Sequence, residues 1–292
     1  MLTCIDVSDH EQTMMANILS LTSHVAYGHV GGQASVPAWH AMGHEVWHIP
    51  TVLFSNHPGH GGFGGAPVDL ALQNQLLDGL SERQFLANCN AVHTGYLGQP
   101  GSADVALRAI DTTDAVVICD PILGDDGRLF VPEEIATVLR DQLLPRSAIV
   151  TPNLFELSWL TGMDLPSIND VVLACEALRQ LGPEWVICTS AWQFEEWLHN
   201  IAVGPHGAVQ VRVPFFPDKN VVPKGTGDAF TAILLGHYLD HGDIPAALSW
   251  ASAALHGLIQ GSIDRYADEL AVISDRNQIT SPSCIFPVER LD

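Results

Sequence analysis

A chain of 292 residues, 47% hydrophobic and only 15% charged, has the material for a substantial core, which excludes a disordered polypeptide. Its net charge of −21 argues against a nucleic-acid backbone or an anionic membrane surface as the main partner. The longest apolar runs, such as Ala115–Cys119 and Ile233–Leu235, fall far short of the ~18 residues that cross a bilayer.

No linker or repeat divides the sequence, so a single α/β domain over 17–292 is expected after an N-terminal extension, 1–16, to which no role attaches. The beginning of the chain lacks a basic stretch followed by an apolar one, which reads as a cytoplasmic protein. Apolar runs of strand length are expected at Ile18–Thr22, Val46–Pro50, Ala91–Thr94, Ala115–Cys119, Ala148–Thr151 and Trp185–Thr189. Helical periodicity falls between them, at Gly32–Met42, Leu70–Leu77, Ala103–Ala109, Glu133–Gln142 and Ile168–Leu181. This β-α alternation predicts a largely parallel sheet between helical layers. A hairpin follows over Asn200–Val203 and Val209–Val213, then two helices, Thr226–Leu239 and Ala246–Leu258, separated by a turn from Gly242.

The six cysteines (Cys4, Cys89, Cys119, Cys175, Cys188, Cys284) are scattered without a CxxC pair and read as free, mostly buried thiols. Fourteen histidines raise the question of a metal protein, but His24 and His29, or His57 and His60, sit beside glycines in expected loops and form no HExxH pattern. Hydrogen-bonded or substrate-facing roles suit such loop histidines better.

In an open parallel sheet, ligands bind beyond the carboxyl ends of the strands, so motifs there carry the chemistry. Lys224-Gly225-Thr226-Gly227-Asp228 opens a long apolar helix, whose unpaired N–H groups suit a phosphate or a developing negative charge. Asp228 could take a proton from an attacking hydroxyl, or merely favour the helix N-terminus electrostatically. The chain's two lysines, Lys219 and Lys224, fall within ten residues of it, either as an anion-binding concentration of charge or as solvated loop residues. Asn153 and Glu156, just after an expected strand, could offer oxygens to hydrated Mg²⁺, or form an N-cap with its capping-box Glu. Asp120, followed by Gly124, Asp125 and Asp126, supplies further carboxylates, most simply read as turn formers. The segments 23–32 and 51–57 place hydroxyl, imidazole and aromatic groups after strands, a mixture suited to a small flat polar ring, and the glycine-rich Gly59–Gly65 reads as a mobile flap. Neither a Walker A loop nor a GxGxxG motif in the right context is present.

The combination resembles the bacterial pyridoxal kinases of the vitamin B6 branch of the ribokinase-like superfamily. The matching stretches are Ser23-His24-Val25 with Gly28-His29-Val30-Gly31, Thr51 to His57, Gly95-Tyr96-Leu97-Gly98, Cys119-Asp120-Pro121, Asn153-Leu154-Phe155-Glu156 and Gly225-Thr226-Gly227-Asp228. The resemblance implies a ribokinase-like three-layer α/β/α sandwich with a largely parallel central sheet. It implies ATP-dependent phosphorylation of the 5′-hydroxymethyl group of pyridoxal to pyridoxal 5′-phosphate in vitamin B6 salvage, with pyridoxine and pyridoxamine as further substrates.

By the same resemblance Asp228 is the base, and Gly225, Thr226 and Gly227 stabilise the transferred phosphoryl. Ser23, Thr51, His57 and Tyr96 line the ring pocket, while Asp120, Asn153, Glu156, Thr189 and Lys224 organise the nucleotide. Asp120 and Glu156 would hold Mg²⁺, partly through water. ATP, Mg²⁺, a monovalent cation such as K⁺, and a homodimer complete the implied set. Gly32 stands where the family often has Asn, and Pro58 and His60 where Thr and Tyr are common. A hydroxymethylpyrimidine kinase, or a module that binds B6 without turnover, remain alternative readings of the same residues.

Overall fold

Adjacent residues of the first strand point into different cores, which sets the layering. Ile18 packs against helices on one face of the sheet and Leu19 against helices on the other, and both are fully buried. The computed structural model describes residues 15–125 and 127–291; Cys4, Asp126, the Lys219 side chain and nearly all of 1–16 lie outside the described residues.

The elements run β1 (Asn17–Tyr27), α1 (Gly32–Ala41), β2 (Glu45–Asn56), β3 (Gly65–Pro67), α2 (Leu70–Glu82), β4 (Ala91–Thr94), α3 (Gly101–Asp111), β5 (Val116–Cys119), β6 (Gly124–Asp125), β7 (Arg128–Leu129) and α4 (Glu133–Val138). They continue with β8 (Ile149–Val150), α5 (Leu154–Thr161), α6 (Ile168–Arg179), β9 (Trp185–Phe194), β10 (Trp197–Gly204), β11 (Gly207–Pro214), α7 (Thr226–His241), α8 (Ile244–Asp264), α9 (Asn277–Thr280) and β12 (Val288–Leu291). The main sheet has the order β12-β11-β10-β9-β8-β5-β4-β1-β2-β3, parallel from β9 to β2 and antiparallel at both margins. Helices α2 to α6 cover one face and α1, α7, α8 and α9 the other, which is the expected three-layer α/β/α sandwich. Among the described residues no helix is long and apolar enough to cross a membrane.

Chain order reverses at β1, which lies between β2 and β4, so a crevice opens at the carboxyl ends of these strands. Two expected boundaries are corrected here. The strands at 18–22 and 46–50 continue to Tyr27 and Asn56, because β1 and β2 go on pairing with each other beyond Leu21, where β1 leaves β4. The segments 23–27 and 51–56 are therefore strand rather than post-strand loop. A bulge sits within this extension: Thr22 pairs with Pro50 and His24 with Leu53, leaving Thr51 and Val52 opposite Ser23.

Three more local readings change. The glycine-rich flap contains a 3₁₀ turn, Pro58–His60, and β3, which pairs with Val52–Phe54 of β2. The loop after Asp120 folds into the small hairpin of β6 and β7. Helix α4 gives way to a π-helical turn at Leu139–Leu143, short of the regular helix expected to Gln142. Among the described cysteines, Cys89, Cys119, Cys175 and Cys188 are free and buried, and Cys284 is free and exposed.

Candidate active site

Helix α7 begins with a turn that only glycine fits. Gly225 has φ +86°, and a Cβ there would lie 1.9 Å from the His29 carbonyl oxygen. The first intrahelical bond runs from Ala229 N–H to Gly225 C=O, so the amides of Thr226, Gly227 and Asp228 precede the helical ladder. A Cβ on Gly227 would meet nothing within 4 Å, which leaves this helix start open toward the crevice.

Asp228 is partly buried at the edge of that opening, with its carboxylate on the amides of Gly31 and of Asp228 itself. Burial raises its pKa to about 6 against the pull of those two amides. Gly31 also faces Ser23: a Cβ on Gly31 would sit 2.0 Å from Ser23 Oγ. One loop residue therefore brings the expected base and an expected ring-pocket hydroxyl to the same place.

Behind Asp228 lies a cluster of carboxyl groups. Asp120, at the end of β5, is 5% exposed. Burial, then the neighbouring carboxyls of Glu156 and Asp228, hold Asp120 well above the usual carboxylate range, opposed by the Thr231 and Thr151 hydroxyls. Those hydroxyls are 2.9 Å apart. Thr231 was not among the expected site residues, although it falls three residues after Asp228 and so on the same helix face.

Both readings of the Asn153–Glu156 pair meet here, and the capping box is the one made in full. Asn153 Oδ1 accepts from Glu156 N–H at 2.9 Å, and Glu156 Oε2 accepts from Asn153 N–H at 2.9 Å. Glu156 Oε1 accepts from Leu123 N–H at 2.9 Å and from Gly124 N–H at 3.4 Å. Burial nevertheless pushes Glu156 up to about 8. Asn153 also bridges to Thr189, whose N–H donates to Pro152 C=O at 2.9 Å, so these two residues stand side by side, Asn153 just past β8 and Thr189 in the middle of β9, which runs on to Phe194 beyond the strand end expected at Thr189.

On the opposite wall, Thr51 Oγ1 donates to the Tyr96 carbonyl at 2.5 Å, and Tyr96 N–H donates to Thr22 Oγ1 at 3.2 Å. Strands β1 and β2 and the segment just after β4 are tied together there, with Thr51 buried and Tyr96 half-buried. His57 is buried at the start of the 3₁₀ turn. Its Nδ1 accepts from Gly59 N–H at 3.1 Å and its Nε2 lies 3.1 Å from Glu269 Oε1. Glu269 carried no sequence signal. It lies in the segment after α8, bridges by backbone to the exposed Lys224, and also receives His60 Nε2 at 2.7 Å.

A hard divalent cation suits part of this donor set. Asp120 is a buried carboxyl beside two others with no cationic side chain among the influences on it, whereas both oxygens of Glu156 are already engaged by backbone amides.

Residues 68–270 match the family model described as phosphomethylpyrimidine kinase. A protein named pyridoxal kinase PdxY from Corynebacterium diphtheriae is 36% identical over 284 residues, covering 94% of this chain and 99% of its own. Its namesake from Rubrobacter xylanophilus is 34% identical, covering 94% and 97%. Among solved structures, pyridoxal kinase from Leishmania donovani in complex with ADP and pyridoxine superposes with a TM-score of 0.86 at 29% identity, covering 94% of this chain and 99% of the other.

Proposed function

Because the chain belongs to the phosphomethylpyrimidine kinase family, and within it to the pyridoxal kinases, we propose that the crevice transfers the γ-phosphoryl group of ATP to the 5′-hydroxymethyl group of pyridoxal, with pyridoxine and pyridoxamine as further acceptors. The observation that supports this most is the placement of Asp228, held by the Gly31 amide between the open helix start and Ser23. In that arrangement the 5′ oxygen attacks the γ-phosphorus, the bond to the ADP oxygen breaks, and the hydroxyl proton passes to the Asp228 carboxylate.

The amides of Thr226 and Gly227 meet the charge on the equatorial oxygens, with Gly225 setting their direction. Ser23, Thr51, His57 and Tyr96 hold the ring. Asn153, Thr189 and Lys224 would face the nucleotide, and Asp120 would hold Mg²⁺ directly or through water. The cation would neutralise phosphate charge. Glu156 would act on that cation through its charge and through the Leu123 and Gly124 amides it fixes. A monovalent cation and a homodimer belong to the same reading.

The test is incubation with Mg-ATP and an equimolar mixture of pyridoxal, pyridoxine, pyridoxamine and hydroxymethylpyrimidine, with products identified by mass spectrometry. Phosphorylated pyridoxal is expected to dominate. Hydroxymethylpyrimidine phosphate alone would keep the phosphoryl-transfer end and overturn the ring pocket, and pyridoxal binding without any product would overturn the kinase reading.

A further inference from the structure

Glu269 joins three loops that wall the crevice. Its Oε1 faces Nε2 of both His57, at 3.1 Å, and His60, at 2.7 Å, and its Oε2 accepts from His29 N–H at 2.7 Å. Its backbone pairs with Lys224, immediately before the Gly225 turn. A Cβ on Gly28 would meet Glu269 Oε2 at 2.9 Å, so the loop before α1 also closes onto the carboxylate. Its side chain is only 12% exposed, and burial, which raises its pKa, is outweighed by the His29 amide and the His60 and His57 rings, which hold it below the usual carboxylate range.

We propose that Glu269 is the positioning residue of the ring pocket: it fixes His57 in the form bearing hydrogen on Nε2 and clamps the 57–60 turn at a set distance from the Gly225–Gly227 turn. The direction of the hydrogen bonds supports this. Gly59 N–H donates to His57 Nδ1, so that nitrogen carries no hydrogen, and the ring hydrogen sits on Nε2, aimed at Glu269 Oε1. The competing use of the cluster is a divalent metal site, since His57, His60 and Glu269 each offer a ligand atom and all three lie within 4.8 Å of one another. A metal-bound imidazole nitrogen carries no hydrogen, and the other ring nitrogen then donates. At His57 that other nitrogen is an acceptor.

The kinetic half of the inference rests on the assignment of His57 to the ring pocket, and its structural half does not. The test compares wild type with Glu269→Gln, which keeps volume, and with His60→Phe, which removes one donor and leaves the carboxylate. In wild type, ¹⁵N NMR of the imidazoles is expected to show His57 protonated at Nε2 and bare at Nδ1. In Glu269→Gln the neutral amide can present NH₂ as well as oxygen to Nε2, which should admit a minor population of the other tautomer against the Gly59 donor on Nδ1 and raise KM for pyridoxal about tenfold, with KM for ATP within about twofold. His60→Phe should retain the His57 tautomer and give a smaller rise. An unchanged His57 tautomer with unchanged KM in a folded Glu269→Gln protein would overturn the proposal. So would one equivalent of divalent metal in the purified wild type that is lost in both Glu269→Gln and His60→Phe, or a shift of both Nε2 resonances on adding Zn²⁺ alone. If wild type phosphorylates none of the vitamers, the NMR readout still decides the clamp, while the assigned activity falls separately.

Discussion

The two ends of the crevice are made by different means. The end proposed to bind the phosphoryl group is built on backbone: one contiguous turn, Gly225–Asp228, whose amides precede the helical ladder because a helix starts there and because glycine permits the geometry. The end proposed to bind the ring is made of side chains drawn from separate segments, with Ser23 on β1, Thr51 on β2, Tyr96 after β4, His57 just before the 3₁₀ turn and Glu269 after α8. A backbone site is specified by four residues in a row and recognises charge. A side-chain site is specified by the whole sheet and recognises shape.

If the chemistry is confined to the first end, the largest effect belongs to its only ionisable group. Asp228→Asn is expected to lower kcat by about 10²–10⁴-fold with KM for pyridoxal within a few-fold, measured by steady-state assay at saturating ATP. In wild type, kcat should fall about tenfold per pH unit below the Asp228 pKa of about 6 and level off above it, since the base works deprotonated. Stability runs the other way. An Asp whose folded pKa is raised binds protons more readily folded than unfolded, so its deprotonation on going up through about 6 costs stability. Asp228→Asn should therefore raise Tm at pH 8, and the gain should shrink toward pH 4. A variant that loses activity and stability together at pH 8 would mean that Asp228 is structural rather than catalytic.

The second test breaks the backbone end without touching a functional group. Gly225→Ala must place a methyl group where the His29 carbonyl lies, on a residue with φ +86°. The strain is of order 1–3 kcal/mol, and the amides of Thr226 and Gly227 should be displaced enough to cost about 10²-fold in kcat. Tm and kcat are expected to fall together here, in contrast with Asp228→Asn. An active Gly225→Ala protein would show that the turn is not held where the structure has it.

The same contrast decides how much could be read from the sequence. Gly225 to Asp228 is legible because its physics is local: glycines, a helix start and a carboxylate in the first turn. The α/β alternation and the three layers are legible for a similar reason, since strand runs and helical periodicity report burial element by element. The continuation of β1 and β2 was not, because Ser23, His24 and Thr51 are polar, and what keeps these segments extended is pairing between β1 and β2 and of β2 with β3. Glu156 was legible as a residue but not as a role, since its two oxygens find backbone partners both in its own cap and 32 or more residues away. Glu269 was invisible. It is 212 residues from His57 and 209 from His60, and no local pattern announces a contact across such a span.

The smallest expected effect probes the ring end through a single hydroxyl. Thr51 sits in the β-bulge opposite Ser23, with its side chain buried against the Tyr96 carbonyl. Because Thr51 Oγ1 spends its hydrogen on the Tyr96 carbonyl, in the proposed reading its lone pairs would accept from a donor on the ring. Thr51→Val keeps the shape, removes that acceptor and leaves the Tyr96 carbonyl without its side-chain donor, a loss of about 1–3 kcal/mol. Divided between folding and binding, this should raise KM for pyridoxal about five- to tenfold and leave kcat within about threefold, because the phosphoryl end is untouched. Competition between pyridoxal and hydroxymethylpyrimidine in the variant sharpens the result. If Thr51 reads the ring, the preference for pyridoxal must narrow, whereas an equal loss for both alcohols would place the hydroxyl in support of Tyr96 and outside recognition.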